Sequence, residues 1–228
     1  MSKKKKKSAK QGVPQQNMTP KQYIKSGRAR KLPLLECVIN SDWEESGLAS
    51  LVVARQHTTG NVTFGFYLVD VFCLGVKNSD VGFSRSKDDY EDFLGKMSDR
   101  HMSGLIRIDY AMAHNILFGV VAYAEDLGFK PHKDWSFSQM VLEEDTDDVP
   151  LIDIEFGRNG KPCFINGPFD SVNRVVNTLK KSVGEGNFDV VLIDGGNSFG
   201  DIDFNEEFDN GDNDEDDETE DTDYEEVK

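Results

Sequence analysis

Several things are missing from this sequence, and each absence closes off a class of function. Its three cysteines, Cys37, Cys73 and Cys163, are far apart, and no Cys-x-x-Cys pair occurs. That removes the usual structural zinc and thioredoxin-like readings. An odd, scattered set of thiols fits buried free cysteines in a reducing compartment. No phosphate-cradling loop is present either. Gly184-Glu185-Gly186 reads as a helix stop and turn, and the glycines of residues 195–200 are followed by neither a Lys-Ser/Thr pair nor a helix. Nucleotide binding is therefore not expected, and no cofactor is expected at all. The most apolar stretch, residues 62–76, is too short to span a bilayer and contains Asp70, so a membrane partner is not expected. The lysine run near the start leads into polar residues 8–17 rather than an apolar segment, which argues against a signal peptide and for the cytoplasm.

What the chain does have is segregated charge. Residues 1–31 hold eleven Lys and Arg and no acid, whereas residues 198–228 hold sixteen Asp and Glu against one lysine. The net charge of −16 therefore conceals a strongly basic start. We expect a disordered basic arm over residues 1–18, a single α+β domain over 19–197 and a disordered acidic tail over 198–228.

The elements of that domain follow from capping residues and periodicity. Thr19-Pro20-Lys21-Gln22 is a helix start, with the threonine as N-cap and proline at the first helical position. Residues 34–39, 48–55 and 62–72 read as strands, the last two joined as a hairpin through residues 58–61. Ser86 with Asp89 caps a helix whose Tyr90, Phe93, Leu94 and Met97 form one stripe. Residues 100–107 are a connection or short strand. From Asp109 a helix runs apolar on nearly every side to Gly128, as a central buried helix should. Residues 135–143 make a helical turn or two. Residues 151–156 and 163–165 flank Asn159-Gly160, the strongest short hairpin signal in the chain. Asp170 or Ser171 caps a helix carrying Val172, Val175, Val176, Leu179 and Val183, closed by Gly184. Residues 189–194 read as a buried-type strand. Hairpins interleaved with helices favour α+β: a mixed or antiparallel sheet packed around the central helix.

Four sets of residues are candidates for a function. Asp70 falls by alternation on the face of Phe64, Phe66 and Leu68, where desolvation would raise its pKa or Lys77 would pair with it; the plainer reading is a structural ion pair. His114 lies on the helix face of Tyr110, Phe118 and Val121. There it is either a satisfied core histidine or a general base oriented by Asp70 or Glu125, with Cys37 or Cys73 as nucleophile. Asp70, Lys77 and His114 together would make a hydrolase-type site. His132 and Asp134 could join His114 as a metal set, but no tight ligand spacing supports it and loop solvation is the preferred reading. Finally, Lys3, Lys4, Lys5, Lys6, Lys7, Arg28, Arg30 and Lys31 form a cationic arm suited to nucleic acid or ribosomes through counterion release. The competing readings are a solubilising role or attraction to the acidic tail. Within that tail Phe199, Phe204, Phe208 and Tyr224 stand among acids, a pattern suited to docking on a basic protein partner.

Three stretches carry a resemblance. They are Tyr67-Leu-Val-Asp-Val-Phe-Cys-Leu-Gly-Val-Lys77, the run from Ala113-His-Asn-Ile116 to Tyr123-Ala-Glu-Asp-Leu-Gly-Phe-Lys-Pro-His-Lys-Asp134, and Phe156-Gly-Arg-Asn-Gly-Lys-Pro162 with Gly167-Pro-Phe-Asp170. Together they resemble a widespread family of uncharacterised bacterial proteins, in which Asp stands where this chain has Asn78. The resemblance implies one folded unit over about residues 23–194 and draws Asp70, Lys77, His114 and His132 into the motif stretches. It implies no reaction. The leading expectation is a non-enzymatic binding protein, with the hydrolase as the alternative.

Overall fold

A computed structural model of the chain describes residues 18–193. The fold is α+β, built on a five-stranded antiparallel sheet with helices on both faces. Strands β1 (Leu34–Asn40), β2 (Leu48–Gln56), β3 (Val62–Asp70) and β4 (Gly75–Arg85) form a meander. Strand β5 (Leu105–Ile108) adds to the free side of β1, giving the order β4-β3-β2-β1-β5. Reaching that far edge requires a crossover, which helix α3 (Lys87–Arg100) supplies. Its start is the expected one, with the Asp89 amide donating to Ser86 Oγ at 3.1 Å.

Period-2 alternation explains why two helices are needed. Val38, Val52, Phe64 and Phe66 point to one face and pack with Tyr90, Phe93 and Met97 of α3. Ile39, Leu51, Val53, Tyr67 and Val69 point to the other. That second face is covered by α4 (Tyr110–Asp126) through Ala113, Ile116, Leu117 and Val120. The chain after α4 then covers its outer side with Trp135, Leu142, Ile154, Phe156 and Cys163, which is why this helix is apolar nearly all round. Gly128 ends it at φ 89°, a left-handed conformation that a β-carbon would strain.

The N-terminal helix α1 (Pro20–Lys25) carries the full capping box of Thr19 and Gln22. It is anchored by Ile24 and, one short 3-10 turn later, by Ala29, both buried against Val81 and Val141. Between α1 and α3 lies one further short helix, α2 (Trp43–Ser46); after α4 comes α5 (Trp135–Ser138). The C-terminal part is a small β-α-β unit in which β6 (Cys163–Ile165), α6 (Val172–Ser182) and β7 (Asp189–Val191) form a two-stranded parallel sheet with its crossover helix.

Three expectations need correcting. The strand over residues 62–72 stops at Asp70; residues 71–74 are a turn, and a complete strand, β4, follows it. The run Asn78-Ser-Asp-Val-Gly-Phe lacks clean alternation, so that strand was hidden. Asn159-Gly160 does make a tight turn, with φ of 54° and 74° and a bridge from Arg158 to Lys161, but it joins no hairpin strands. Residues 151–156 form no strand, and 163–165 pair in parallel with β7 instead. Residues 189–191 form a strand whose residues are all exposed rather than buried. Residues 1–17 of the arm and the whole acidic tail over 198–228 lie outside the described residues. Among those described, no helix is long and apolar enough to cross a membrane.

Candidate functional site

The three stretches that carry the resemblance meet at one end of the sheet, around the turn between β3 and β4. Asp70 sits at the end of β3 and caps that turn: the amides of Phe72 and Cys73 donate to its Oδ1 at 3.0 and 2.9 Å. The turn's own carbonyls are taken up by the third stretch. Gly157 N–H donates to the Val71 carbonyl (3.0 Å) and Cys163 N–H to that of Phe72 (3.1 Å). The second stretch closes the arrangement, with the His132 amide on the Val76 carbonyl (2.9 Å) and Ala124 of α4 against Gly75. At Gly75, φ is 74° and a β-carbon would lie 2.7 Å from that of Ala124, so both conformation and space demand glycine there. Lys77 completes the cluster by pairing with Asp170 Oδ2 at 2.7 Å, an oxygen that also accepts the Gly167 amide at 2.8 Å.

The chemistry of this cluster is that of a joint. Burial pushes the Asp70 carboxyl up to about 6, against the opposing pull of the Lys77 charge and of the backbone amides of Leu74, Phe72 and Cys73. Asp70 is 7 % exposed, so little of it is open to a substrate. Burial, reinforced by the nearby Asp70 charge, pushes the Cys73 thiol well above its ordinary range. Burial likewise lifts Cys37 to about 12. Burial thus disfavours the thiolate of both, which counts against their reading as nucleophiles. Lys77 is committed to Asp170, a partner 93 positions away that sequence reasoning did not pair with it.

His114 does not join Asp70 and Lys77. It sits ten positions before Ala124 on α4, hence about 15 Å along the helix from the end that touches Gly75. Its Nε2 donates to the Glu143 carbonyl at 3.2 Å, and its ring lies tilted against Phe118, centroids 4.5 Å apart. It is a satisfied core histidine, and the hydrolase-type triad is not assembled. His132 Nδ1 lies 3.4 Å from Asp134 Oδ2, but His114 is not with them. Among the described residues no three His, Cys, Asp or Glu side chains gather as a metal site.

The opposite end of the sheet holds a polar centre that sequence reasoning missed. Arg55, at the end of β2 and only 3 % exposed, donates from Nε to the Val141 carbonyl (2.8 Å) and from Nη1 to that of Leu32 (2.9 Å). Its Nη2 is 3.4 Å from Glu143, and its guanidinium lies over the Tyr110 ring at 5.3 Å. Glu143 N–H in turn donates to Tyr110 Oη at 2.8 Å. This arginine ties the N-terminal segment, β2, α4 and the chain after α5 together. The available signal was its place in Leu51-Val-Val-Ala-Arg55, where the strand is buried on both faces and its last residue has no way out.

The cationic candidates divide. Arg28 and Lys31 are exposed on the turn after α1, and Lys21 and Lys25, outside the candidate set, are exposed on α1 beside them. Arg30 is drawn inward, with Nη1 on Glu144 at 2.6 Å and Nη2 against Met140, so it serves the fold. Lys3, Lys4, Lys5, Lys6 and Lys7 lie outside the described residues. Near β1 and the start of α4 an open groove of about 560 Å³ is lined by Leu34, Leu35, Arg107, Ile108 and Met112 among others. Arg107 in its wall is held by Glu36 at 2.6 Å. No family model, curated protein or solved structure matches this chain.

Proposed function

We propose that this chain is a non-enzymatic binding protein that contacts nucleic acid, free or in ribosomes, through its basic N-terminal arm. Membership of the bacterial family that the three stretches resemble, and a cytoplasmic location, belong to the same proposal. The observation that carries it is the set of eleven Lys and Arg, with no acid among them, over residues 1–31. Its last exposed members, Lys21, Lys25, Arg28 and Lys31, are set on a capped helix and turn that Ile24 and Ala29 root in the core. A polyanion meeting those residues would release counterions without meeting an acid of the same segment. Elsewhere the chain is strongly acidic, which confines the contact to this arm. In support, the candidate catalytic groups are spent inside the fold: Asp70 on turn amides, Lys77 on Asp170 and His114 on a carbonyl.

The test is binding of a generic duplex and a generic single-stranded RNA by the full chain across salt concentrations. The comparison is with a form lacking residues 1–17 and with the quadruple variant Lys21→Gln, Lys25→Gln, Arg28→Gln and Lys31→Gln. Each phosphate contact removed should lower the salt slope by about one. The cut belongs before Met18, because removing Ile24 and Ala29 would strip their buried contacts with Val81 and Val141 and confuse the result. Equal affinity and equal slope for all three forms would overturn the proposal.

A further inference from the structure

We propose that the outer edge of β7 is a strand-docking site for an extended apolar segment, flanked by lysine or arginine, of a partner protein. In the parallel register of Cys163 with Asp189 and Ile165 with Val191, β6 uses the backbone groups of Asp189 and Val191. The Asp189 amide donates to the Pro162 carbonyl (2.8 Å) and the Asn166 amide to that of Val191 (3.3 Å). Past the strand, Asn166 also holds Ile193, its Oδ1 accepting the Ile193 amide at 2.6 Å. Strand geometry then turns the N–H and C=O of Val190 and Leu192 outward. Among the described residues no strand pairs with that side. The side chains match: Val190 and Val191 are each 38 % exposed, Leu192 64 % and Ile193 53 %. Four consecutive apolar residues at an open sheet edge are the feature that natural sheets suppress with charge, proline or a bulge. Here the protection is confined to the strand's three-residue length and to Asp189 at its start; residues 190–193 carry no charge or proline, and strand addition supplies both the missing hydrogen bonds and the apolar cover.

Charge selects the occupant. Asp189 opens the strand and Asp194 follows it, and the sixteen acids of residues 198–228 start a few positions later. An incoming strand with cationic ends meets Asp189 at one end of the edge and, at the other, the acids that follow Ile193 in sequence. A second copy of this chain does not, because antiparallel pairing of two β7 edges would set Asp189 against Asp194 and bring two acidic tails together. The chain's own arm is poorly suited: residues 8–17 contain Pro14 and a single β-branched residue, Val13.

The probe is a short synthetic peptide of alternating valine and threonine with two lysines at each end, labelled and titrated with the full chain. Binding that weakens with salt is expected. Leu192→Pro should lower affinity about tenfold or more, because it removes an outward amide while sparing every bond to β6. The same peptide N-methylated on alternate amides should lose binding comparably, a result independent of how the protein variant folds. Equal binding by the N-methylated peptide or by Leu192→Pro would overturn the proposal, leaving only charge attraction to the tail. So would equal binding by a glutamate-capped peptide. Affinity that rises on removal of residues 1–17 would assign the edge to the chain's own arm. Self-association abolished by Leu192→Pro would assign it to a second copy.

Discussion

Leu51-Val52-Val53-Ala54 and Val190-Val191-Leu192-Ile193 are equally apolar tetrapeptides in the same chain, yet the first is fully buried and the second is 38 to 64 % exposed. The difference lies in their surroundings. Strand β2 has hydrogen-bonded neighbours on both sides and a helix over each face. Strand β7 has one neighbour and one crossover helix. The large sheet also manages its edges: β4 is followed along one side by the segment that begins at His132, and β5 on the other side has only four residues, one of them Arg107. A two-stranded sheet is marginal by itself, so the small unit persists because α6 packs Val175 and Leu179 against Leu127 and Phe164. Apolar composition specifies a tendency to be covered; the number of layers available decides whether it is.

Substitutions on the two sides of this comparison should separate sharply. Phe66→Ala, in the fully buried face under α3, is expected to destabilise the domain by about 4 kcal/mol in chemical denaturation. A loss below half of that would mean that the α3 layer is not the core we describe. Arg55→Met should cost about 3 kcal/mol, since it strands the Val141 and Leu32 carbonyls and leaves Glu143 without its partner. A neutral outcome would reduce the arginine to a passive filler.

Asp70→Asn works in the other direction. The folded chain holds the Asp70 proton up to about 6, against an ordinary 3.8. Its contribution to stability is therefore fully present below about pH 4 and is lost as pH rises through about 6. Asparagine keeps an oxygen for the amides of Phe72 and Cys73 and removes the buried charge. The variant should gain roughly 3 kcal/mol at pH 7 and lose the pH dependence between 4 and 6. Denaturation curves that stay parallel to wild type across that range would show that the carboxylate ionises in the fold without penalty. The smallest effect belongs to β7, where Val191→Ala should change stability by less than about 0.5 kcal/mol. A loss like that of Phe66→Ala would show the small sheet to be part of the main core.

Much of the main sheet was legible because it is local. The β2–β3 hairpin spans five intervening residues, and its alternation is regular from Val62 to Val69. Helices α1, α3 and α4 announced themselves by caps and stops that act over three or four positions, such as Thr19 with Gln22 and the glycine at 128. Strand β4 was not legible, because its mixed polar face is covered by residues 132–141, a segment distant in sequence. The candidate site was half legible. Asp70 and Lys77 do lie at the same end of the sheet, but Asp170, read only as a helix cap and part of a motif stretch, was not paired with Lys77, and Arg55 went unnoticed, since the partners lie 93 and 86 positions away respectively. His114 shared a buried environment with the candidate triad without sharing its place.

By itself, then, the amino-acid order determined the segregation of charge, the helix termini, the hairpin and the α+β class. Each of these depends on interactions within a few positions or on composition summed over a stretch. Tertiary structure alone decided which strand β6 would join, that Asp70 and Lys77 would be spent on a joint, and that an apolar strand would be left with one open edge. Those outcomes turn on contacts between segments many tens of residues apart, where a carbonyl such as that of Phe72 takes whichever amide the packed layers bring to it.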